Sequence, residues 1–177
     1  MAVIGLIRGT VALEHHKPEW DTAAEQTIAV LKKVLGSTAA DIQHIGSTSV
    51  KSICAKPIID IVVGVSDPAE LLGKNDILEE DGFIFRGQDH PGQFLYICGK
   101  DNFITHHIHA TVYGSEIWNN YVNMRDYLNS HIDDAQDYSR LKEALAQRYP
   151  NDRNTYTVMK SGFICELLRK VAEWRNK

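Results

Sequence analysis

The chain has 177 residues, of which 44% are hydrophobic and 24% are charged, and its formal net charge is -4. This length is enough to bury a substantial core, so we expect residues 1–177 to form a single domain. The mild acidity excludes an extended surface for nucleic-acid phosphates, and no apolar run approaches the roughly 20 residues that a membrane-spanning helix needs.

The cysteines and the N-terminal sequence indicate the cell compartment. Cys54, Cys98 and Cys165 are an odd number of cysteines among apolar neighbours, which predicts reduced, packed thiols rather than a disulfide or a zinc cage. The N-terminal sequence lacks the charged start, the long apolar core and the cleavage site of a signal peptide. We therefore expect a cytoplasmic protein.

The first third of the chain predicts a strand, a helix and a second strand. Residues 3–14 are apolar with glycine and threonine, which is compatible with an irregular strand. A helix is predicted to begin near Pro18, where apolar residues start to recur at helical spacing, and to end at Gly36. Residues 41–45 are predicted to form a short strand that leads into a Gly-Ser turn and a short helix.

The most informative stretch is the apolar run at residues 58–65, which is interrupted by a single acid, Asp60. Isoleucine and valine on both alternating faces predict a central strand that is covered above and below. Because alternate residues of a strand share a face, we expect Asp60 on the face of Ile58 and Val62. A buried carboxylate costs free energy unless a metal, a cation or a hydrogen-bond donor accompanies it, so Asp60 is the first candidate functional residue.

The middle of the chain is predicted to contain a helix and three more strands. Ser66-Asp67-Pro68 is typical of a helix start, because a polar cap is followed by proline in the first turn, and this helix is expected to end near Gly82. The strands are predicted at residues 83–86, 94–98 and 103–113, with a turn-rich loop between the first two.

From Ser115 onward the pattern becomes helical. A second helix of this half is predicted to start at Asp133, where Gln136 completes a sequence that resembles a capping box, and Pro150-Asn151 separates it from a last helix. The sequence contains no internal repeat and no linker, so the strand-rich half and the helical half are expected to share one core.

The turn Gly46-Ser47-Thr48-Ser49 is a candidate phosphate-binding site. Backbone N–H groups point outward at such a turn, and the serine and threonine hydroxyls add further donors. The alternative is an ordinary turn that caps a helix, and the tetrapeptide alone favours this alternative. Its spacing does not match that of a nucleotide-binding P-loop.

The histidines of the predicted strand at residues 103–113 suggest a metal site. His107 and His109 share one face of that strand, and His106 lies on the other. With Asp60 from a neighbouring strand they would form a set of one carboxylate and two imidazoles, which suits zinc, manganese or iron better than magnesium or calcium. The alternative is one histidine bonded to a backbone carbonyl in the core and one solvated histidine.

A third set of candidates is cationic. Lys56 precedes the Asp60 strand, and Arg125, Lys142 and Lys160 belong to the later helices. A solvated surface position is the default for any one of them, but together they would match the charge of a triphosphate.

The segment HIGSTSVKSICAKPIIDIVVGV resembles the signature of the GrpB family, small bacterial proteins assigned to the nucleotidyltransferase fold. The likeness continues in HHIHATVYGSEIW, MRDYLNSH, YSRLKEALA and YTVMKSGFI, and it covers nearly the whole chain. It implies an α+β fold in which a nucleotidyltransferase-like mixed β-sheet is flanked by helices and a helical C-terminal half packs on it. It implies little about activity, because a fold does not determine a function.

In the nucleotidyltransferase superfamily, a Gly-Ser turn precedes a strand with two alternating acids, and a third acid comes from a later strand. These carboxylates hold two divalent ions that align a nucleoside triphosphate with an attacking hydroxyl. Gly46-Ser47 matches the turn and Asp60 matches the first acid, but the second position is Val62, and the later strand offers His107 and His109. This departure leaves a reaction with a single metal ion and histidine ligands.

The resemblance therefore implies a nucleotidyltransferase-type enzyme that uses a divalent metal ion (Mg, Mn or Zn) and a nucleoside triphosphate, with an unknown acceptor. The expected roles are catalysis by Asp60 and Lys56, metal binding by Asp60, His107 and His109, and nucleotide binding by Gly46, Ser47, Thr48, Arg125 and Lys160. The alternative is a non-catalytic nucleotide- or metal-binding module of the same fold that regulates or assists a partner protein. Val62 favours this alternative.

Overall fold

The protein structure, a computed structural model, describes residues 4–176, so residue 3 of the predicted first strand lies outside the described residues. The described chain forms one sheet of β1 (Leu6–Ile7), β2 (Ala39–Ile45), β3 (Ile59–Val65), β4 (Ile84–His90), β5 (Gln93–Lys100) and β6 (Phe103–Val112). Its α-helices are α1 (Pro18–Leu35), α2 (Asn75–Glu80), α3 (Glu116–Ser130), α4 (Ile132–Arg148) and α5 (Arg153–Arg175).

The sheet is mixed, with the strand order β2-β3-β6-β5-β4, and the short β1 pairs with the beginning of β6. The central strands β3 and β6 are parallel, whereas the other pairs are antiparallel. This architecture confirms the predicted α+β class with a mixed sheet. It also places the strand with the single acid beside the strand with the three histidines.

The two faces of β3 bury different partners, as the alternating pattern predicts. Ile59, Ile61 and Val63 lie in the core that the sheet forms with α1, and all three are at most 1% exposed. On the opposite face, Val62 packs in a cluster with Trp118 of α3. The helical half therefore covers the face that carries Asp60.

Helix α1 follows the prediction closely. Pro18 is at its first position, acidic residues lie in its first turn and lysines lie in its last turn, where they favour the helix dipole. It ends at Gly36, whose φ is 55°. Trp20, Ala24 and Leu31 are buried against the sheet.

Several predicted elements differ from the structure. The strand expected over residues 3–14 is reduced to β1, and beyond it Glu14 forms only an isolated bridge with Ala55. The loop expected between residues 86 and 94 is mostly paired, because β4 continues to His90 and β5 begins at Gln93. Turn-forming residues such as Gly87 and Asp89 are tolerated there because the pairing of β4 with β5 has register shifts.

The helix starts are correct in two cases and wrong in one. The side chains of Asp67 and Ser115 accept hydrogen bonds from backbone N–H groups in the first turn, as expected, although Asp67 caps a 3₁₀ segment that precedes α2. The predicted start at Asp133 is wrong, because α4 begins at Ile132 and its cap, His131, makes no side-chain bond. The prediction of packed thiols is wrong for Cys165, which is exposed.

Among the described residues, no helix is both long enough and apolar enough to cross a membrane.

Candidate functional site

Asp60, His107 and His109 converge on the face of the sheet that the helical half covers. In the parallel register of β3 and β6, Asp60 lies opposite His107, and Val62 lies opposite His109. His107 Nδ1 is 3.0 Å from Asp60 Oδ1, and His109 Nε2 is 3.7 Å from the same oxygen. His106 points to the other face, where its Nε2 is 3.1 Å from Thr27 Oγ1.

The Asp60 carboxylate is a stable anion that faces a cavity. Its side chain is 27% exposed, so it is less buried than the apolar pattern of the strand suggests. Burial raises the pKa of Asp60, but the contacts with His107 and His109 outweigh burial and hold this pKa well below its ordinary value. The His107 contact is a hydrogen bond, whereas the 3.7 Å contact with His109 is too long for one.

The three side chains fit a divalent metal ion. Their potential ligand atoms all lie within 4.8 Å of one another. Ligands at about 2.1 Å from a tetrahedral ion are separated by about 3.4 Å, which is close to the two distances from Asp60 Oδ1. One carboxylate and two imidazoles suit zinc or manganese better than magnesium.

The orientation of His109 is fixed from behind by Gln93, a residue that sequence analysis did not identify. Gln93 is 1% exposed, and its amide nitrogen lies 3.3 Å from His109 Nδ1 and 3.0 Å from Asp89 Oδ1. In this arrangement Nδ1 accepts a hydrogen bond and Nε2 carries the ring proton toward Asp60. A metal ion at Nε2 would require this proton to move to Nδ1, which would then donate rather than accept.

The Gly-Ser turn lies against Asp60. Gly46 has φ 71° and ψ -171°, and a β-carbon at this position would lie 2.5 Å from Asp60 Oδ2. Ser47–Ser49 form a short 3₁₀ turn, as predicted in outline, in which the Ser49 hydroxyl donates to the Gly46 carbonyl at 2.6 Å. Only glycine fits this turn at this distance from the acid.

The Thr48 hydroxyl has a structural partner. Thr48 is 1% exposed, and its Oγ1 lies 2.9 Å from His44 Nε2. Burial lowers the pKa of His44 to about 4, so the imidazole is neutral at pH 7 and the pair is a neutral hydrogen bond. The Thr48 hydroxyl is therefore already hydrogen-bonded, and Thr48 forms part of the wall of the site. Ser47 faces the cavity.

A cavity of about 210 Å³, here called the first cavity, opens in front of Asp60 and the two histidines. Four cationic side chains line it: Lys56, Lys142, Arg153 and Lys160. Arg153, Tyr156, Thr157 and Lys160 recur at positions i, i+3, i+4 and i+7 of α5, so one helix face forms a wall of this cavity. Apart from the histidines and the phenol of Tyr156, the ionisable side chains of the cavity are thus four cations and one acid.

Burial, and after it repulsion between neighbouring cations, lowers the pKa values of the three lysines of the first cavity. Burial, followed by repulsion from Arg153 and Lys160, lowers the pKa of Lys56 to about 8. Burial, followed by repulsion from Lys160, lowers the pKa of Lys142 to about 7, and Lys142 is only 2% exposed. Burial also lowers the pKa of Lys160. An anion bound among them would relieve this repulsion.

A second cavity of about 240 Å³ adjoins the first, and Ser47, Asp60 and Lys160 line both. Its other walls are mainly apolar and aromatic: Val50, Tyr121, Met124, Leu128, Tyr138 and Ile164. Arg125 lines this second cavity rather than the first.

Arg125 is largely committed to structural contacts. Its Nη1 donates to Gln43 Oε1 at 2.7 Å and to the His44 carbonyl at 3.0 Å, and its Nε donates to Asp126 at 2.8 Å. The structure thus brings together most of the predicted site residues but separates Arg125 from the four cationic side chains of the first cavity.

Two of the cations were poorly predicted. Lys142 was included only in the set of cations that would match a triphosphate, although its helical spacing from Tyr138 and Leu145 already indicates a buried face. Arg153 follows the break at Pro150-Asn151, and no local pattern indicates that it faces the sheet. Lys56 lines the same cavity as Asp60, but no ion pair within 4.0 Å joins the two side chains.

Comparison with known proteins identifies relatives of the chain. The sequence model of a family described as GrpB protein matches residues 10–170. The Glutamate-rich protein GrpB of Alkalihalophilus pseudofirmus is 34% identical in an alignment 174 residues long that covers 96% of this chain and 100% of that protein. A protein of Streptomyces coelicolor described as a UPF0157 protein is 32% identical in an alignment 179 residues long that covers 99% of this chain and 94% of that protein.

Solved structures support the fold. This chain matches the crystal structure of the conserved protein GrpB from Enterococcus faecalis with a TM-score of 0.88 and 27% sequence identity. The match covers 94% of this chain and 100% of the Enterococcus faecalis chain. A crystal structure of the Cid1 poly(U) polymerase with Mg and 3'-dATP bound has a TM-score of 0.54 and 15% identity, over 77% of this chain and 44% of that chain. The second likeness shows the fold alone, and it confirms the expectation of a nucleotidyltransferase-like fold.

Proposed function

The chain belongs to the GrpB family, and we propose that it binds a nucleoside triphosphate with a divalent metal ion and transfers the nucleotidyl group to an acceptor hydroxyl. One observation carries this proposal. The potential metal ligands Asp60, His107 and His109 open into the same cavity as four cationic side chains. A metal site alone does not need those cations, and a simple anion site does not need the three potential ligands.

In this proposal, Asp60, His107 and His109 hold the metal ion. A divalent ion bound there would polarise phosphoryl oxygens and neutralise part of their charge. Gln93 and Asp89 hold the ring of His109 in place, and binding of the ion at Nε2 would require the ring proton to move to Nδ1 and the Gln93 contact to rearrange. Manganese and zinc are the expected ions, because imidazole ligands favour them over magnesium.

The cations of the first cavity are proposed to bind the phosphates. Lys56, Lys142, Arg153 and Lys160 supply up to four positive charges against the single charge of Asp60, which suits a polyphosphate better than a monophosphate. The turn at Ser47 supplies hydroxyl and backbone donors beside Asp60. Burial within a cavity strengthens these interactions relative to a solvated surface.

The proposed reaction is an in-line displacement at the α-phosphorus. A bond forms between the acceptor oxygen and this phosphorus while its bond to the bridging oxygen breaks, and pyrophosphate leaves with the electron pair. The hydroxyl proton passes to water, because the depressed pKa of Asp60 makes that carboxylate a weak base. Lys56 and Arg153 stabilise the charge that develops on the leaving pyrophosphate.

Val62 supports a second candidate function, a non-catalytic module that binds a nucleotide or metal and assists a partner protein. A second metal ion would need an acid at this position, and Val62 is fully buried beside Trp118 instead. In this case the site would bind metal and nucleotide without releasing pyrophosphate.

The test combines binding with turnover. Thermal stability is measured with magnesium, manganese or zinc, each with and without ATP, GTP, CTP and UTP, because a ligand that binds only the folded state raises the melting temperature. Pyrophosphate release is then measured with the nucleotide that binds, in the presence of a small-molecule extract as the source of acceptor hydroxyls. Arg153→Met is the test variant, and Lys33→Met, which changes an exposed lysine of α1, is the matched control.

A melting-temperature shift that requires metal and nucleotide together, is lost in Arg153→Met and is accompanied by pyrophosphate release supports the transferase. The same shift without pyrophosphate release supports the non-catalytic module. No shift with any combination contradicts both.

A further inference from the structure

The second cavity differs from the first in chemistry although the two share a wall. The first is lined mainly by charged and polar side chains, whereas Met124, Leu128 and Ile164 give the second a largely apolar surface. Ser47, Asp60 and Lys160 form the boundary between them. A ligand that spans this boundary would therefore have an anionic part and a weakly polar part.

The first cavity offers no free aromatic face to a nucleobase, apart from the two candidate metal ligands. Tyr156 contributes to its wall but is 1% exposed. The ammonium groups of Lys56 and Lys160 lie 5.6 and 4.6 Å from the centroid of the Tyr156 ring. A base stacked on this ring would have to displace the lysines that the phosphates need.

The second cavity does offer such a surface. Tyr121, which is half-buried, lines it together with Met124, a polarisable thioether side chain, whereas Tyr138 is 4% exposed and its ring already stacks on Phe163. Tyr121 is held in position because its ring packs on His109 with a centroid distance of 5.2 Å. The aromatic surface of Tyr121 therefore lies directly beside the candidate metal ligands.

The one guanidinium of the second cavity is largely engaged. Arg125 uses Nη1 and Nε on Gln43, the His44 carbonyl and Asp126. Arg125 is therefore poorly placed to read the hydrogen-bonding edge of a base, and stacking on aromatic side chains is tolerant of base identity.

We propose that the second cavity binds the base of the nucleotide by stacking, with the α-phosphate at the boundary formed by Ser47, Asp60 and Lys160 and the remaining phosphates in the first cavity. This inference rests on the proposed function and adds an orientation and a selectivity to it. The leaving pyrophosphate would lie toward Lys56, Lys142 and Arg153. The site would discriminate weakly among bases and would favour purines through their larger stacking area.

The experiment compares two probes by isothermal titration in the presence of manganese: inorganic tripolyphosphate, which has no base, and ATP. We expect ATP to bind more tightly than tripolyphosphate by about tenfold or more, because stacking of one base on an aromatic side chain contributes roughly this much affinity. Met124→Trp should fill the second cavity and remove this advantage while leaving the affinity for tripolyphosphate unchanged. Met159→Trp is the matched control, since Met159 of α5 is 50% exposed and lines neither cavity.

Ile164→Phe fills the same cavity from α5 and serves as a second variant if Met124→Trp does not fold. The inference is overturned, and the proposed function is left standing, if tripolyphosphate binds as tightly as ATP or if filling the cavity weakens both probes equally. A strong preference for one of ATP, GTP, CTP and UTP also contradicts it. If neither probe binds, the proposed function itself fails.

Discussion

A β-carbon at Gly46 would lie 2.5 Å from Asp60 Oδ2 and 2.9 Å from Asp60 Cβ. The backbone of Gly46 also has a φ of 71°, a conformation that residues with side chains rarely adopt. Glycine therefore meets two separate requirements here, a left-handed backbone and contact with the candidate metal ligand. The turn and the acid form one unit, although fourteen positions separate them in the sequence.

Gly46→Ala should disturb the site more than the fold. The added β-carbon must push Asp60 away from His107, so we expect the metal-dependent rise in melting temperature to disappear. The strained backbone should also lower the free energy of unfolding by about 1–3 kcal/mol. Thermal and urea denaturation with and without manganese measure the two effects.

Gly162→Ala is the control for this substitution. Gly162 lies in α5, and a β-carbon there would meet no atom within 4 Å. Alanine should stabilise that helix by roughly 0.5–1 kcal/mol and leave metal binding intact. A normal metal response of Gly46→Ala would show that the close contact with Asp60 does not position this carboxylate.

Asp60→Asn should abolish metal binding while the protein remains folded. The carboxylate is the only anionic member of the potential ligand set, and the amide cannot replace its charge. We expect the melting temperature to respond to manganese in the wild type and in Asp137→Asn, an exposed control on α4, but not in Asp60→Asn. A purely structural Asp60 would instead produce the same change in melting temperature with and without metal.

The alternating pattern of residues 58–65 was sufficient to predict both faces of β3 and the side on which Asp60 lies. The pairing of β3 with β6 could not be derived from the pattern, because parallel register depends on how distant segments pack. The association of Asp60 with the two histidines was a hypothesis from ligand chemistry, and in the structure Asp60 lies opposite His107.

The four cationic side chains of the first cavity were the least predictable part of the site. Lys160 was proposed from the sequence, but Arg153 and Lys160 reach the cavity only because of how α5 packs against α3 and α4. Arg125 shows the opposite case, since it was predicted to bind the nucleotide, and the sequence did not reveal its partners Gln43 and His44 on β2. Local periodicity gives the face of a helix and not the surface against which it packs.

Lys142→Met should change how stability depends on pH. The pKa of Lys142 in the folded protein is about 7, below the value of about 10.4 in an unfolded chain. Between these values the unfolded chain binds more protons, so this lysine makes stability rise with pH across that window. Its contribution to the slope is at most about 1.36 kcal/mol per pH unit.

We expect urea denaturation of Lys142→Met between pH 7 and pH 10 to show a flatter pH profile than the wild type. Lys33→Met, an exposed substitution on α1, should leave the wild-type profile unchanged. Identical profiles for the wild type and Lys142→Met would mean that Lys142, which donates to the Cys54 carbonyl, keeps its proton throughout this range.

Polyphosphate binding should take up protons. Lys56 and Lys142 have free-protein pKa values of about 8 and about 7, and a bound anion raises both because it favours the charged ammonium. Affinity should therefore be greatest below pH 7 and should decline as the pH rises through 8 and above. Titration of tripolyphosphate in buffers with different ionisation enthalpies at pH 8 measures the proton uptake directly.

Lys56→Met should reduce this uptake, whereas Lys51→Met, which lies outside the first cavity, should not. Buffer-independent binding heats at pH 8 would exclude the proposed contact between these lysines and the phosphates.

Val62→Asp should destabilise the protein without creating a second metal site. Val62 shares a face with Asp60, yet it is fully buried with Ile45 and Trp118 rather than open to the first cavity. A carboxylate there would be desolvated without a cationic partner, so we expect the free energy of unfolding to fall by about 3 kcal/mol or more. Urea denaturation and pyrophosphate release are the measurements, and Val62→Ala controls for the lost packing.

A Val62→Asp variant that is as stable as the wild type and binds a second manganese ion would contradict this view. We expect no second ion because Trp118 of α3 packs on Val62, in the space that this ion would occupy beside β3. The single-metal character of the site would then be a property of how α3 packs on the sheet, and one substitution in β3 would not be enough to reverse it.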